Sequence, residues 1–550
     1  MQLLQLLHIT RLKRIANPLL RPDVSRLVLS KRAPTYRLQD QKKGLTLTFF
    51  SPLSRRTFSS YFRKMATDKP TSPKAKPFTQ LPTDCLISIL DQLSSKDSLA
   101  VSTTCKDVRA SATPFAYRDV TLDWSNRPLR RLLQLLRLIF NDPDIASYIH
   151  HVSLVSSEPG TWEETPPALD WETECHNFRD VINQSIDIIQ RAGFSDLDDW
   201  HAVLKSGNTY CYAAILLSQL PNLKSLRLDY SFVWQDGYPG TMLKQALFSP
   251  NGVLSTFQHL EIVDYGGNVP IAEHEDESRD GYPACNPDQF MAWFYLPSLR
   301  HLSIWLRDIS ELQDNVPKLH LNNLETLILA RTTISESDVS FLLSQTPNLR
   351  TLHLGLAYAW GRELVLQNAD TLANALKPLH ETLHHLSLGV EYYPSTLGDR
   401  YWDGADDHFH EPLGGMLSWF PNLVSAEVPL CVIMGWYIQD ATDLGPRLPR
   451  SLQRLCLRED LRSFYDFEWE QDEVDGLIRG FVSSWRGFSP QLECITWRLW
   501  DQNYMDGWEE FQGELREACA EKGLGLEVVV DELGTGLWSR EEFSLARGVS

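Results

Sequence analysis

A short apolar pattern, L-x-x-L-x-L, recurs along most of the chain. Segments such as LPNLKSLRLDY and TPNLRTLHLGL place apolar residues at alternate positions. This spacing predicts a short strand with one face in a core and the intervening polar residues facing solvent. The residues between segments, such as 337–344 with Val339, Leu342 and Leu343 on one side, fit a returning helix. A strand and helix unit cannot cover its own apolar face, so neighbouring units are expected to stack.

The repeat is irregular but persistent. Successive first apolar positions lie 25 to 42 residues apart. They are Leu223, Phe257, Leu299, Leu324, Leu349, Leu383, Leu423, Leu452 and Leu492. A tenth instance begins at Ile149. Long polar insertions separate some units, and we expect them on one rim, where their Trp and Tyr residues would suit protein contacts. These insertions are Ser156 to Trp171, Gly266 to Asp288 and Glu391 to Glu411.

Upstream of the repeats, residues 78–124 have the pattern of three short helices. Pro82 suits a first helical position because its fixed φ already fits the helix. Four apolar residues follow at helical spacing and predict one stripe: Leu86, Ile89, Leu90 and Leu93. Ser94 and its polar neighbours supply N-cap chemistry for a second helix, and 105–112 forms the third. About 40 residues in three short helices bury too little apolar surface to be stable alone, so this segment needs a partner.

The segment resembles an F-box. The resemblance rests on the order and spacing of Leu81-Pro82, the apolar stripe, Asp97-x-Leu99, Cys105-Lys106-x-x-Arg109 and the trailing Pro114-x-x-Tyr117-Arg118-x-Val120-x-Leu122. One departure is Val108, where many F-boxes carry Trp. The resemblance implies that the helices dock in a groove of a Skp-type adaptor protein. The residues expected to bind the adaptor are Leu81, Pro82, Leu86, Ile89, Leu90, Leu93, Leu99, Cys105 and Arg109.

The recurrent P-[NS]-L-x-x-L-x-[LI] resembles degenerate leucine-rich repeats, the usual companion of an F-box in proteins of the fungal F-box/LRR type. The expected fold is α/β, with a three-helix F-box followed by an irregular leucine-rich-repeat-like solenoid of short parallel strands and helices. An α/β domain with unrelated strands is the alternative. The expected domains are a basic disordered extension (1–76), the F-box (77–124), a linker helix (125–144), the solenoid (145–531) and a C-terminal tail (532–550).

Charge is unevenly spread along the chain. The formal net charge is minus 19, but residues 1–64 hold 14 Lys or Arg against only Asp23 and Asp40, which leaves minus 31 for the remainder. An acidic body argues against nucleic-acid binding, which depends on Lys and Arg at phosphates. The basic segment has the composition of a mitochondrial presequence. Met65 offers a second interpretation, an internal natural start, which we favour because an F-box needs a cytosolic or nuclear partner.

Nucleotide-binding and serine-hydrolase motifs are absent from the sequence. It contains no GxGxxG after a strand, no GxxxxGK[ST] and no GxSxG. Asp406 to Glu411 has zinc-ligand residue types without fixed geometry, so we expect no metal, cofactor or catalytic residue. Nine scattered cysteines without CxxC pairs favour a reducing compartment. Leu129 to Phe140 is interpreted as a packing helix rather than a membrane binder, and no run is long enough to cross a bilayer.

These patterns together predict a non-catalytic interaction protein in the cytoplasm or nucleus. By its resemblance, the chain would be the substrate-recognition subunit of an SCF-type (Skp-cullin-F-box) E3 ubiquitin ligase. The F-box would bind the Skp-type adaptor and through it cullin and RING subunits, while the repeats would bind a target protein. Two alternatives stay open: a non-degradative F-box/LRR scaffold, and a mitochondrial repeat protein with a vestigial F-box, if residues 1–64 are a genuine presequence.

Overall fold

The computed structural model describes the chain from Leu81 to Val530, with gaps. The described residues are 81–126, 128–156, 171–269, 285–314, 319, 321–359, 366, 369–393, 413–435, 443–461, 471–499 and 508–530. The basic segment, the metal-like stretch Asp406 to Glu411 and most of the three polar insertions lie outside them. The chain divides into two units, Met1–Lys76 and Pro77–Ser550, and every described residue belongs to the second.

Helices alternate with strands through most of the described chain. The helices are α1 (Thr83–Asp91), α2 (Ser95–Ser102), α3 (Lys106–Tyr117), α4 (Leu129–Asn141), α5 (Pro143–Tyr148), α6 (Trp171–Asn177), α7 (Arg179–Ala192), α8 (Leu197–Ser206), α9 (Thr209–Ser218), α10 (Ser231–Trp234), α11 (Tyr238–Phe248), α12 (Ser310–Asp314), α13 (Glu336–Ser344), α14 (Ala369–Leu376), α15 (Leu430–Met434), α16 (Gln471–Phe488) and α17 (Trp508–Glu521). Short 3-10 turns take the place of longer helices in several units.

The strands form one sheet in which each strand pairs with the next along the chain. They are β1 (Asp119–Asp123), β2 (His151–Val155), β3 (Ser225–Leu228), β4 (Ile262–Tyr265), β5 (His301–Ile304), β6 (Thr326–Thr332), β7 (Thr351–Ala359), β8 (His385–Tyr393), β9 (Ser425–Pro429), β10 (Arg454–Arg458), β11 (Cys494–Leu499) and β12 (Gly525–Val530). All eleven described pairings are parallel. Parallel neighbours in chain order require a crossover in every unit, which the helices and turns provide.

The apolar pattern supplies the strands β2 to β11. Each first apolar position named from the sequence is at most 3% exposed. For one unit, however, the sequence pattern identified the wrong residue as the first apolar position. The register pairs Ile262 with both Ser225 and His301, which makes Leu260 the first apolar position of that unit instead of Phe257. Phe257 is buried three residues earlier with a φ of 51°. The segment FQHLEIVDY fits the L-x-x-L-x-L pattern whether it begins at Phe257 or at Leu260, so the pattern alone could not identify the correct start.

Both faces of the middle strands are buried, which corrects the expectation that the intervening polar residues face solvent. His353, Ser387 and Glu427 lie between inward leucine-type positions, yet each is at most 1% exposed. A buried polar group is costly unless it is hydrogen-bonded. His353 Nδ1 lies 2.8 Å from Ser387 Oγ on the neighbouring strand, and Glu427 is held by arginines from the next two strands. The polar side of the sheet is therefore an internal network.

The Asn or Ser that precedes the first apolar residue has a regular structural role. Asn222, Asn348 and Asn422 each donate a side-chain N–H to a backbone carbonyl of the preceding unit at 2.8 Å. Ser298 donates its hydroxyl to the carbonyl of Gln258 at 2.6 Å in the same way. The P-[NS]-L motif thus links the turn that enters each of these strands to the turn of its neighbour.

The sheet begins inside the F-box-like segment. Val120 of β1 pairs with Val152 of β2, and the carbonyl of Arg118 accepts hydrogen bonds from the backbone N–H groups of His150 and His151. The helix α4 then buries its apolar side in the core that lies against the sheet. Its buried residues are Leu129, Leu132, Leu133, Leu136 and Ile139. Because β1 belongs to the sheet, the F-box-like helices are attached to the repeats by a strand as well as by a linker.

Candidate functional site

Two local capping arrangements set the first helices. Pro82 is the N-cap of α1, one residue earlier than the sequence predicts, because its ψ of 143° is extended while its carbonyl accepts the N–H of Leu86. Ser94 is the N-cap of α2, and its hydroxyl oxygen accepts the N–H of Asp97 at 3.2 Å. The same hydroxyl donates to the carboxylate of Asp97 at 2.8 Å. Capping of this kind orients α1 and α2 and exposes the corner between them.

The three helices enclose a small core of their own. Its buried members are Leu86, Leu90, Val101, Val108 and Ala112, with Leu93 and Phe115 packed against them. Val108, at the position where the sequence departs from many F-boxes, is 3% exposed and belongs to this core. Leu86 and Leu90 are therefore internal to the module, and the expected role of the four-residue stripe in adaptor binding stays a prediction.

Other apolar residues of these helices are exposed to solvent. Ile87, Ile89 and Leu99 are 45%, 41% and 47% exposed, and only two other large hydrophobic residues of the described chain, Phe248 and Trp419, are comparably exposed. We call Ile87, Ile89 and Leu99 the exposed triad. Large apolar residues that stay exposed on a small helical module mark a candidate interaction site. Pro82, Cys85 and Cys105 are exposed on the same three-helix module, and Leu81 is half-buried.

Two of the sequence-predicted site residues act mainly within the helical segment. Arg109 donates from Nε to the carbonyl of Ser102 at 3.3 Å, which caps the end of α2. Cys105 is the N-cap of α3 but makes no side-chain capping hydrogen bond, and it remains exposed. Arg109 therefore holds α2 against α3, while Cys105 leaves its thiol on the surface.

A polar junction connects the helices to the sheet, and sequence reasoning missed it. The guanidinium of Arg118 contacts the carboxylate of Asp91 at the end of α1 and lies 3.5 Å from that of Asp119. Ser95 at the start of α2 donates to the same Asp119 oxygen at 2.9 Å. Burial, with the nearby cation of Lys224, lowers the pKa of His150, which immediately precedes β2. These contacts set the direction of α1 and α2 relative to β1.

A second charged cluster lies on the polar face of β9 to β11. Glu427 Oε1 accepts hydrogen bonds from Arg458 at 2.8 Å and from Arg498 at 2.7 Å, and Arg458 Nε donates to Asp460 at 3.0 Å. All four side chains are at most 7% exposed. Burial raises the pKa of Asp460 to about 6 despite the adjacent guanidinium. Burial alone would lower the pKa of Arg458, but the carboxylates of Asp460 and Glu427 raise it, so this side chain stays charged.

Comparison with known families supports one assignment. Residues 78–113 match the family model described as the F-box domain, which supports an F-box protein. F-box domains bind Skp-type adaptors in SCF complexes. The proteins that carry them are typically non-catalytic subunits. An F-box domain therefore suggests, in general, a substrate-adaptor role in a ubiquitin ligase. A search of curated proteins found no match to this chain.

Among the described residues, no helix combines the length and apolar character needed to cross a membrane. The same residues contain no group of three or more His, Cys, Asp or Glu side chains placed to hold a metal ion. The nine cysteines all lie among the described residues, and none of them forms a disulfide.

Proposed function

We propose that this chain is the substrate-recognition subunit of an SCF-type E3 ubiquitin ligase. Its three N-terminal helices bind a Skp-type adaptor, and its leucine-rich-repeat-like solenoid binds a target protein. The observation that carries the proposal is the F-box match at residues 78–113 together with the exposed triad on those same residues. The twelve parallel strands in chain order, joined by helices, support the solenoid.

The adaptor contact is assigned to the outer side of the helices. Ile89 and Leu99 supply exposed apolar anchors, and Pro82 and Cys105 are exposed on the same module. Ile87, which the sequence stripe omits, is exposed as well. The internal residues of the stripe shape the surface from behind instead of touching the partner. Interface energy is concentrated in a few apolar anchors that become fully buried on binding, so the triad should dominate adaptor affinity.

The proposal is tested by separate Ile89→Glu and Leu99→Glu variants coexpressed with the Skp-type adaptor. Each substitution places a charge in the interface without disturbing the internal core. We expect each to reduce adaptor affinity by about 30-fold or more, because truncating a central anchor costs about 2 kcal/mol and a buried charge adds to it. Phe248→Glu is the matched control, since Phe248 is 38% exposed on α11. Thermal melting verifies that all three variants fold.

Copurification of cullin distinguishes the ligase subunit from a non-degradative scaffold. A ligase subunit should copurify with both the adaptor and cullin, whereas a scaffold should copurify with the adaptor alone. If Ile89→Glu and Leu99→Glu bind the adaptor as well as the Phe248→Glu control does, the helices do not use the triad and the assignment fails.

A further inference from the structure

An open groove runs along the edge of the sheet where strands β4 to β8 begin. Its volume is about 630 Å³, within the range of sites that bind ligands of moderate size. The turns entering successive strands contribute its walls, and charged and amide side chains predominate. The turns entering β4 to β7 contribute the charged series Glu261, Arg300, Glu325 and Arg350, and the turn entering β8 contributes Glu381, 3.6 Å from His380. The groove lies apart from the exposed triad, on a different part of the chain.

The backbone arranges these four side chains as a ladder of alternating charge. The N–H of Arg300 donates to the carbonyl of Glu261 at 2.9 Å, that of Glu325 to Arg300 at 2.8 Å, and that of Arg350 to Glu325 at 2.9 Å. Each of the four residues is one rung of this ladder, and successive rungs are therefore one strand spacing apart, about 4.8 Å. The order of the charges is negative, positive, negative, positive.

The two central rungs neutralise each other. Arg300 donates from Nη2 at 2.7 Å and from Nε at 3.2 Å to the same oxygen of Glu325. These hydrogen bonds lower the pKa of the Glu325 carboxyl and raise that of Arg300. The central pair is thus occupied, and within this series the charges that remain for a ligand are those of its outer rungs.

The outer rungs, Glu261 and Arg350, make no side-chain ion pair or hydrogen bond within the described part of the chain. Lys224 is the neighbouring position on the preceding turn, where its carbonyl accepts the N–H of Glu261 at 2.9 Å. Arg350 is exposed and acts on Glu325 only through space. Glu261 and Arg350 are three rungs apart, a separation of about 14 Å. The ladder therefore offers one negative and one positive charge at a fixed spacing, and Glu381 lines the groove on the next turn after Arg350.

We propose that this groove binds an extended polypeptide with a basic and an acidic residue four positions apart. Four residues of extended chain span about 14 Å, which matches the separation of the outer rungs. The basic residue meets Glu261 and the acidic residue meets Arg350. Asn322 and Asn323, which line the groove between them, carry amides that both donate to and accept from a peptide backbone. This motif would be the recognition element of the target, and that role rests on the proposed function.

The test uses fluorescein-labelled peptides and the full chain in fluorescence anisotropy titrations. The mixed peptide is Gly-Lys-Ser-Ala-Ser-Glu-Gly, and two others carry Lys or Glu at both charged positions. The wild-type chain should bind the mixed peptide about tenfold more tightly than either of the others, because each mismatched charge replaces an attraction by a repulsion.

Charge reversal should redirect this preference. Glu261→Lys makes both outer rungs positive, so the variant should prefer the Glu/Glu peptide, and Arg350→Glu should prefer the Lys/Lys peptide. The double variant restores opposite charges and should recover the mixed peptide. Glu493→Lys, at an exposed turn position of the same edge beyond the groove, is the control and should leave the preference unchanged.

Two results would overturn the inference: equal binding of all three peptides by the wild-type chain, or an unchanged preference in both single variants. Absence of binding to any peptide would also overturn it. Adaptor copurification is measured on the same preparations. Loss of peptide binding would then contradict the groove proposal, whereas loss of adaptor copurification would contradict the proposed ligase role.

Discussion

The carboxylate of Glu427 lies 2.8 Å from Nη1 of Arg458 on the neighbouring strand, and neither side chain is more than 2% exposed. Arg498 reaches the same carboxylate oxygen from the following strand. Three consecutive strands are thus joined on their polar face by one buried acid. Desolvating such charges is costly, so the cluster is stable only while every member keeps its partner.

Neutralising this acid should therefore destabilise the sheet severely. Glu427→Gln leaves two buried guanidinium groups with one fewer compensating charge, and breaking a buried pair costs about 3–5 kcal/mol. Urea denaturation should show a corresponding loss in the free energy of unfolding. Glu493→Gln, an exposed residue next to β11, should change that free energy by less than about 0.5 kcal/mol. Equal midpoints for the two variants would show that the arginines are compensated elsewhere.

The same cluster predicts a pH dependence of stability. Burial raises the pKa of Asp460 to about 6, above the value near 4 expected in the unfolded chain. The folded state therefore binds this proton more tightly, and Asp460 increases the free energy of unfolding as pH falls from 8 through 6 to 4. Relative to Asp460→Asn, which does not titrate, the wild-type chain should gain about 2–3 kcal/mol over that range.

Chemical denaturation at several pH values measures this difference directly. Comparing the two proteins removes the contributions of other titrating groups that they share, including the buried histidines. A wild-type chain that loses stability relative to Asp460→Asn as the pH falls would mean that Arg458 holds the Asp460 carboxylate ionised.

Much of the strand order was predictable from the sequence because burial at alternate positions leaves a local signature. Leu349 and Leu352, for example, occupy the core positions that their spacing predicts. The polar side was not predictable, because burial of His353 and Ser387 depends on what neighbouring strands place beside them. Sequence alternation cannot distinguish a polar residue in solvent from one that is paired across two strands.

In the candidate site as well, local sequence patterns predicted some features and missed others. Helical spacing identified Ile89 and Leu90 as members of one apolar stripe, but the turn of the helix places them on different sides, one 41% exposed and the other fully buried. Ile87 was missed because it falls outside that spacing. The contact of Arg118 with Asp91 joins residues 27 positions apart, so no local sequence pattern predicts it.

Introducing a charge into the apolar side of the sheet should unfold several units together. Leu352 is fully buried on β7 and pairs with Leu327 and Leu386 of the adjacent strands. Leu352→Asp buries a carboxylate without a partner, which costs several kcal/mol. Because repeats depend on their neighbours, hydrogen exchange should accelerate in β6 and β8 as well as in β7. Acceleration confined to β7 would contradict stacking as the source of stability.

Alanine substitutions at two adjacent positions should separate folding from binding within the helical segment. Leu90→Ala removes a fully buried side chain from the small core and should lower the free energy of unfolding of these helices by about 2–5 kcal/mol. Ile89→Ala removes a side chain that is 41% exposed and should cost less than about 1 kcal/mol, while adaptor affinity falls by about 30-fold. Circular dichroism and adaptor titration of both variants measure the two quantities. If Ile89→Ala proved the more destabilising of the two, the inward and outward sides of α1 would be exchanged and the exposed triad could not be the adaptor surface.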